Sequence, residues 1–116
     1  MPMTDPNLGL SYGWTQGEHN WNGGMDANLK RLGAILGLSV KDRDLAAPPV
    51  SPTEGDRYLI PAAGTGAWAG KAGQIAVRIG ASWEYHSPRP GWLCFIEDEN
   101  VLAVCKSTGW SPGLPV

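Results

Sequence analysis

Sixteen glycines and ten prolines are spread along these 116 residues, and they constrain the fold more than any other feature. Both residues are disfavoured inside helices and strands and favoured in turns. A chain punctuated this densely is therefore built from short elements joined by many turns. One stretch carries a longer repeat: Met25, Leu29, Leu32, Ile35 and Leu36 recur at i, i+4, i+7, i+10 and i+11, one face of an α-helix. Asn22 or the Gly23-Gly24 pair can start it, Asp26 suits the positive end of its dipole, and Gly37 can stop it. That predicts a helix of about twelve residues. Gly33 lies inside it at a cost of up to about 1 kcal/mol relative to Ala, which close approach of another backbone would explain. A helix so short depends on tertiary or intersubunit contacts.

Ahead of the helix, Pro2, Pro6, Gly9, Gly13 and Gly17 interrupt any helical period, while Leu8, Leu10, Tyr12 and Trp14 follow one another at a spacing of two. In an extended segment those four side chains share a face. The stretch reads as an extended arm whose apolar face packs on its own domain or across a neighbouring subunit. Leu8, Leu10, Tyr12, Trp14, Trp21, Met25 and Leu29 are the candidate assembly residues.

Beyond the helix, Ala46 to Pro52 holds three prolines, which donate no ladder hydrogen bond and favour a polyproline-like connector. Short β-prone runs follow at 57–60, 74–79, 82–85, 92–96 and 101–105, separated by turn residues at hairpin lengths. Consecutive strands are expected to pair antiparallel. The predicted fold is α+β, mostly β: an N-terminal arm (1–24), a short helix with the start of the connector (25–45), and a small antiparallel β-meander of five to six strands (46–116), in one domain overall. Six Trp against one Phe let large rings supply the buried area that so many glycines and prolines withhold. Trp83 and Tyr85 share a strand face; together with Trp92 and Trp110 they are candidates for glycan contact, and the same geometry serves equally as core.

Charge and chemistry exclude several classes. A net charge of -2, a pI near 5.5 and scattered Lys and Arg offer no field for nucleic acid. No run approaches the roughly 20 apolar residues of a membrane span, and the first residues lack the pattern of a signal peptide. Cys94 and Cys105 are expected as buried thiols in neighbouring strands. His19 and His86 stand apart from any zinc-ligand spacing, no Gly-x-Ser-x-Gly elbow occurs, and the carboxylates of Asp42, Asp44, Glu54, Asp56 and Glu97 to Glu99 read as solvated turns. The glycines from Gly64 to Gly70 lack a following Gly-Lys-Ser/Thr and read as a flexible hairpin loop. No enzyme activity, metal or cofactor is expected.

An ordered series of motifs adds to this: Asp42-Arg43-Asp44-Leu45, Pro48-Pro49, Pro52, Gly55-Asp56-Arg57-Tyr58-Leu59-Ile60, Thr65-Gly66-Ala67-Trp68-Ala69-Gly70, Gly73-Gln74-Ile75-Ala76 and Pro90-Gly91-Trp92. The series, over about residues 29 to 110, resembles an uncharacterised domain of tail-fibre and spike proteins in prophages and gene transfer agents. Gly17-Glu18-His19-Asn20-Trp21 departs from that domain's usual opening and looks like the start of other phage tail proteins. The resemblance implies a virion structural role in a tail fibre, spike or baseplate, a protein made in the bacterial host cytoplasm, and a homo-oligomer, a homotrimer by preference, joined to other tail proteins. It brings no catalytic residue with it. The alternative expectation is a carbohydrate-binding module that meets host surface polysaccharide through Trp83, Tyr85, Trp92 and Trp110.

Overall fold

The computed structural model describes residues 2–115 and is an α+β protein, mostly β, with one α-helix and ten short strands among the described residues. Its contacts divide it into two compact units that meet in the sequence at Leu36 and Gly37. Arm and helix thus belong to one unit, and connector and strands to the other.

In the first unit the arm is no extended strand. Met3–Thr4 (β1) and Ser11–Tyr12 (β2) pair antiparallel, with Met3 opposite Tyr12 and Thr4 opposite Ser11. Asp5 turns the chain between them: its carboxylate accepts hydrogen bonds from the Asn7 and Leu8 amides, and its own N–H donates to Leu10 O at 2.7 Å. Those backbone donors hold the Asp5 carboxyl below its usual range, Leu8 foremost and then Asn7. The turn takes Leu8 out of the alternation that an extended arm would have kept. Helix α1 then runs Trp21–Ile35, 15 residues and so longer at its start than the periodicity indicated. Asn20, in the left-handed region at φ 67, precedes it and makes no side-chain cap.

Two sheets make the second unit. Arg57–Leu59 (β4), Ile75–Ile79 (β5) and Ser82–His86 (β6) form an antiparallel meander in the expected order. Both of its faces are partly buried: Tyr58 and Ala76 on one, Leu59, Ile75, Val77 and His86 on the other. The meander stops there, because β6 does not pair with the next strand. Leu93–Ile96 (β7) instead joins a second sheet, ordered β10-β8-β7-β3, with Val101–Lys106 (β8), Leu114–Pro115 (β10) and the short Ser39–Val40 (β3); Gly109–Trp110 (β9) pairs with β8. β3, where the sequence predicts no strand, runs parallel to β7, Val40 beside Ile96, while the other pairs of this unit are antiparallel. The residues after β3 also bond to β4, Lys41 N–H to Arg57 O at 2.9 Å and Leu59 N–H to Asp42 O at 3.1 Å, so this short piece of chain ties the sheets together.

The stretch from Gly64 to Gly70 is no loose loop. Gly66–Trp68 makes a 3-10 turn that delivers Trp68, with no exposure at all, into a cluster with Tyr58, Ile60 and Ala76. Cys94 and Cys105 are free, buried thiols on adjacent β7 and β8, as expected, and burial pushes Cys94 up to about 12.

Candidate functional site

Three places bring recognisable side chains together. In the first unit, a helical wheel of α1 has two faces with different occupants. Gly24, Asn28 and Arg31 lie on the face met by the arm, spaced i, i+4, i+7. Asn28 is buried and bonds Ser11 in both directions, Oδ1 accepting from Ser11 N–H at 2.8 Å and Nδ2 donating to Ser11 O at 2.7 Å. The side-chain amide thus does for β2 what a neighbouring strand's peptide would do. Arg31 Nε donates to Leu8 O. The Trp14 ring lies so close to Gly24 that a Cβ there would come within 2.2 Å of it. Any larger residue would push the indole off the helix. Beside this contact a cleft of about 550 Å3 is lined by Trp14, His19, Asn20 and Glu18 among others.

The other face carries Trp21, Met25, Leu29 and the half-buried Leu32, with Leu36 at the C-cap just past the last turn, and it is largely bare: Trp21 is 57%, Leu29 61% and Leu36 64% exposed. Of the periodic residues, Met25, Leu29 and Leu36 are exposed while Leu32 and Ile35 are half-buried, and the arm covers a face marked by Gly, Asn and Arg. The seven residues expected at an assembly interface separate accordingly. Tyr12, Trp21, Met25 and Leu29 are exposed; Leu8, Leu10 and Trp14 are half-buried within the unit. Leu36 was missed, although its heptad spacing from Leu29 was legible. Asn28 was missed because a helical amide gives no signal until its backbone partner is known. Among the described residues beyond its own helix neighbours, nothing comes within 4 Å of a Cβ placed on Gly33, so the close backbone approach expected at that glycine is not seen.

The second place is the aromatic group of the other unit. Trp83 meets Trp68 and Tyr58 edge-on at centroid distances of 5.4 and 5.9 Å, and the Arg78 guanidinium lies over its ring at 5.4 Å. Tyr85 donates its hydroxyl to Ala67 O at 2.8 Å and carries Lys71 over its ring at 4.8 Å. Trp110 donates its indole N–H to Gly73 O at 3.4 Å. All three rings, and Trp92, are half-buried. Core neighbours and cations occupy ring faces of Trp83 and Tyr85 that a sugar would need for stacking. The structure uses Trp83 and Tyr85 as cover for the sheet.

Third, Arg43 reaches across to the chain's other end. It pairs with Glu99, Nε to Oε2 at 2.9 Å and Nη2 to Oε1 at 2.8 Å, and donates to the carbonyls of Ser111 at 2.8 Å and Pro112 at 2.6 Å. The fork geometry of a guanidinium suits this use. Arg43 holds the Glu99 carboxyl below its usual range, and Asp98 is pushed up, first by desolvation and then by the charges of Asp42 and Glu99. No group of three or more His, Cys, Asp or Glu able to hold a metal occurs among the described residues. No described helix is long and apolar enough to cross a membrane.

Residues 25–111, well over half of the chain, match the family described as a protein of unknown function, DUF2793. No curated protein matches the chain.

Proposed function

We propose, from the premise that the chain belongs to the DUF2793 family, that it is a structural and assembly protein of a bacteriophage virion, part of a tail fibre, spike or baseplate, attached through its N-terminal arm and helix. The observation that carries this reading is the bare apolar stripe of α1. A helix of 15 residues gains little from propensity alone, and its stability comes from burying an apolar face. Here that face is left for something else to cover. The motif series from Asp42 to Trp92, with its likeness to tail-fibre and spike domains, supports a virion as the setting. In this role the C-terminal unit is a folded head without catalytic duty, the partners are other tail proteins, and the chain is made in the host cytoplasm before it joins the particle.

The test is incorporation. Leu29→Asp with Leu36→Asp places two carboxylates on the bare stripe, away from the arm and outside the second unit's core. Particles assembled with this variant are expected to lack the protein, although it accumulates in folded form. Normal incorporation of the double variant, or absence of the wild-type protein from purified particles, would overturn the reading.

A further inference from the structure

An asparagine side chain can react with its own backbone: the nitrogen of the following peptide attacks the side-chain amide carbon. The attack is fastest where that nitrogen is free of a hydrogen bond and the following residue has no Cβ to hinder the approach. The five asparagines of this chain differ in both respects. Asn7 and Asn28 precede leucines; the Leu8 N–H is held by the Asp5 carboxylate, and the buried Asn28 amide is bonded to Ser11. Asn20 precedes Trp21, and Asn100 precedes the β-branched Val101, which is paired in β8. Asn22 alone precedes a glycine.

Asn22 and Gly23 are both exposed and are the second and third residues of α1. The helical ladder begins one residue later, with Gly24 N–H donating to Asn20 O at 3.1 Å, so the Gly23 N–H lies ahead of it. Beyond its chain neighbours and its own helix backbone, nothing comes within 4 Å of a Cβ placed on Gly23. Helical dihedrals keep the Gly23 nitrogen from the Asn22 side chain, so this peptide must leave the helix to react. Only the first turn has to open. Asn20 makes no side-chain cap there, and two adjacent glycines weaken the turn further.

We infer that Asn22-Gly23 is a self-modification site, at which the chain converts Asn22 to aspartyl and isoaspartyl linkages without an enzyme. The Gly23 nitrogen loses its proton and bonds to Asn22 Cγ; the Cγ–Nδ2 bond breaks, and ammonia carries the proton away. Water then adds across one of the two C–N bonds of the cyclic imide. Breaking the bond to Cγ restores the main chain with an ordinary aspartate. Breaking the bond to the backbone carbonyl carbon routes the main chain through Cβ and Cγ, one methylene longer. The two products act oppositely on the turn that carries Gly24, against which the Trp14 ring lies. An aspartate puts a carboxylate where the helix dipole favours it and where α1 has no acidic residue. The longer linkage cannot keep the helical repeat and undoes the turn.

Incubating the purified full-length protein in its folded state for weeks at mildly alkaline pH, followed by digestion and fragment mass spectrometry, tests the inference. A gain of one dalton is expected at Asn22, with both linkages resolved, while Asn7, Asn20, Asn28 and Asn100 convert about tenfold less or not at all. Gly23→Ala supplies a Cβ and strengthens the helix, and is expected to slow the change about tenfold. Hydrogen exchange reads the consequence: slower at the Gly24 amide in Asn22→Asp, faster in the isolated isoaspartyl form, and unchanged at Val77 in both. An Asn22 that keeps its mass throughout overturns the inference. So does conversion of the other asparagines at a similar rate, a Gly23→Ala protein that converts as fast, or Gly24 exchange that is the same in both products.

Discussion

Asn28 is the side chain that decides which face of α1 the arm occupies. Its amide is buried and makes two hydrogen bonds to Ser11 besides a longer one to the Met25 sulfur, so Asn28→Ala would leave the Ser11 N–H and C=O without their partner. Leaving such groups unpaired costs about 1–3 kcal/mol. The expected outcome is release of the arm, read as faster hydrogen exchange at the Ser11 amide with no change at Val77 in the other unit. Trp68 makes the opposite case. It is wholly buried, yet its indole N–H has no hydrogen-bond partner among the described residues. Its contribution is then packing against Tyr58 and Trp83. Trp68→Ala is expected to lower the stability of the C-terminal unit by about 3–5 kcal/mol through the cavity left behind. Trp68→Phe is expected to cost clearly less, since it removes some ring area and no hydrogen bond; equal losses in denaturant titration would show that the N–H matters after all.

Among the elements, α1 and the strands β4 to β8 were legible in the sequence because each has enough residues to display a period or a β-prone run between turn residues. The two-residue strands were not. Ser39–Val40 holds its place by parallel pairing with Phe95 and Ile96, far along the chain, and nothing within two residues can announce such a partner. The break between β6 and β7 escaped notice because Pro88-Arg89-Pro90-Gly91 has the length of a hairpin loop whichever sheet the next strand enters. Of the candidate site, the stripe residues were visible by spacing, but their outward direction was not: periodicity shows that a helix has an apolar face and is silent on what covers it. Arg43 and Glu99 illustrate a connection between elements with a pH signature. Glu99 has a folded pKa below its unfolded value, so its contribution is present above the usual glutamate range and is lost as pH falls through the depressed folded value. Asp98, shifted upward, works in the reverse sense and is relieved by acid. The expected outcome is that Glu99→Gln weakens protection of the amides around Ser111 at neutral pH and makes little difference once both forms are taken to acid pH. An equal effect of Glu99→Gln at both pH values would show that the ion pair is not what fastens the C-terminal strand.

For the whole molecule, the two units owe their stability to different things, and this has a measurable consequence. The C-terminal unit has its own buried core, from Val40, Ile75 and Trp68 to Ile96 and Ala103. The N-terminal unit buries Asn28 and Ala34 but leaves Trp21, Leu29 and Leu36 in the open, so much of the area that could stabilise its helix is not covered within that unit. If a second copy covers it, folding of α1 is linked to association, and mass action then makes its stability depend on protein concentration. The helical signal in circular dichroism is expected to melt at a temperature that rises with concentration, whereas protection of the buried Val77 amide from hydrogen exchange is lost at a temperature that does not. Leu29→Asp is expected to remove the concentration dependence of the first transition and leave the second in place. A single transition seen identically by both probes at every concentration would mean that α1 draws its stability from within the chain, despite the apolar face it leaves bare.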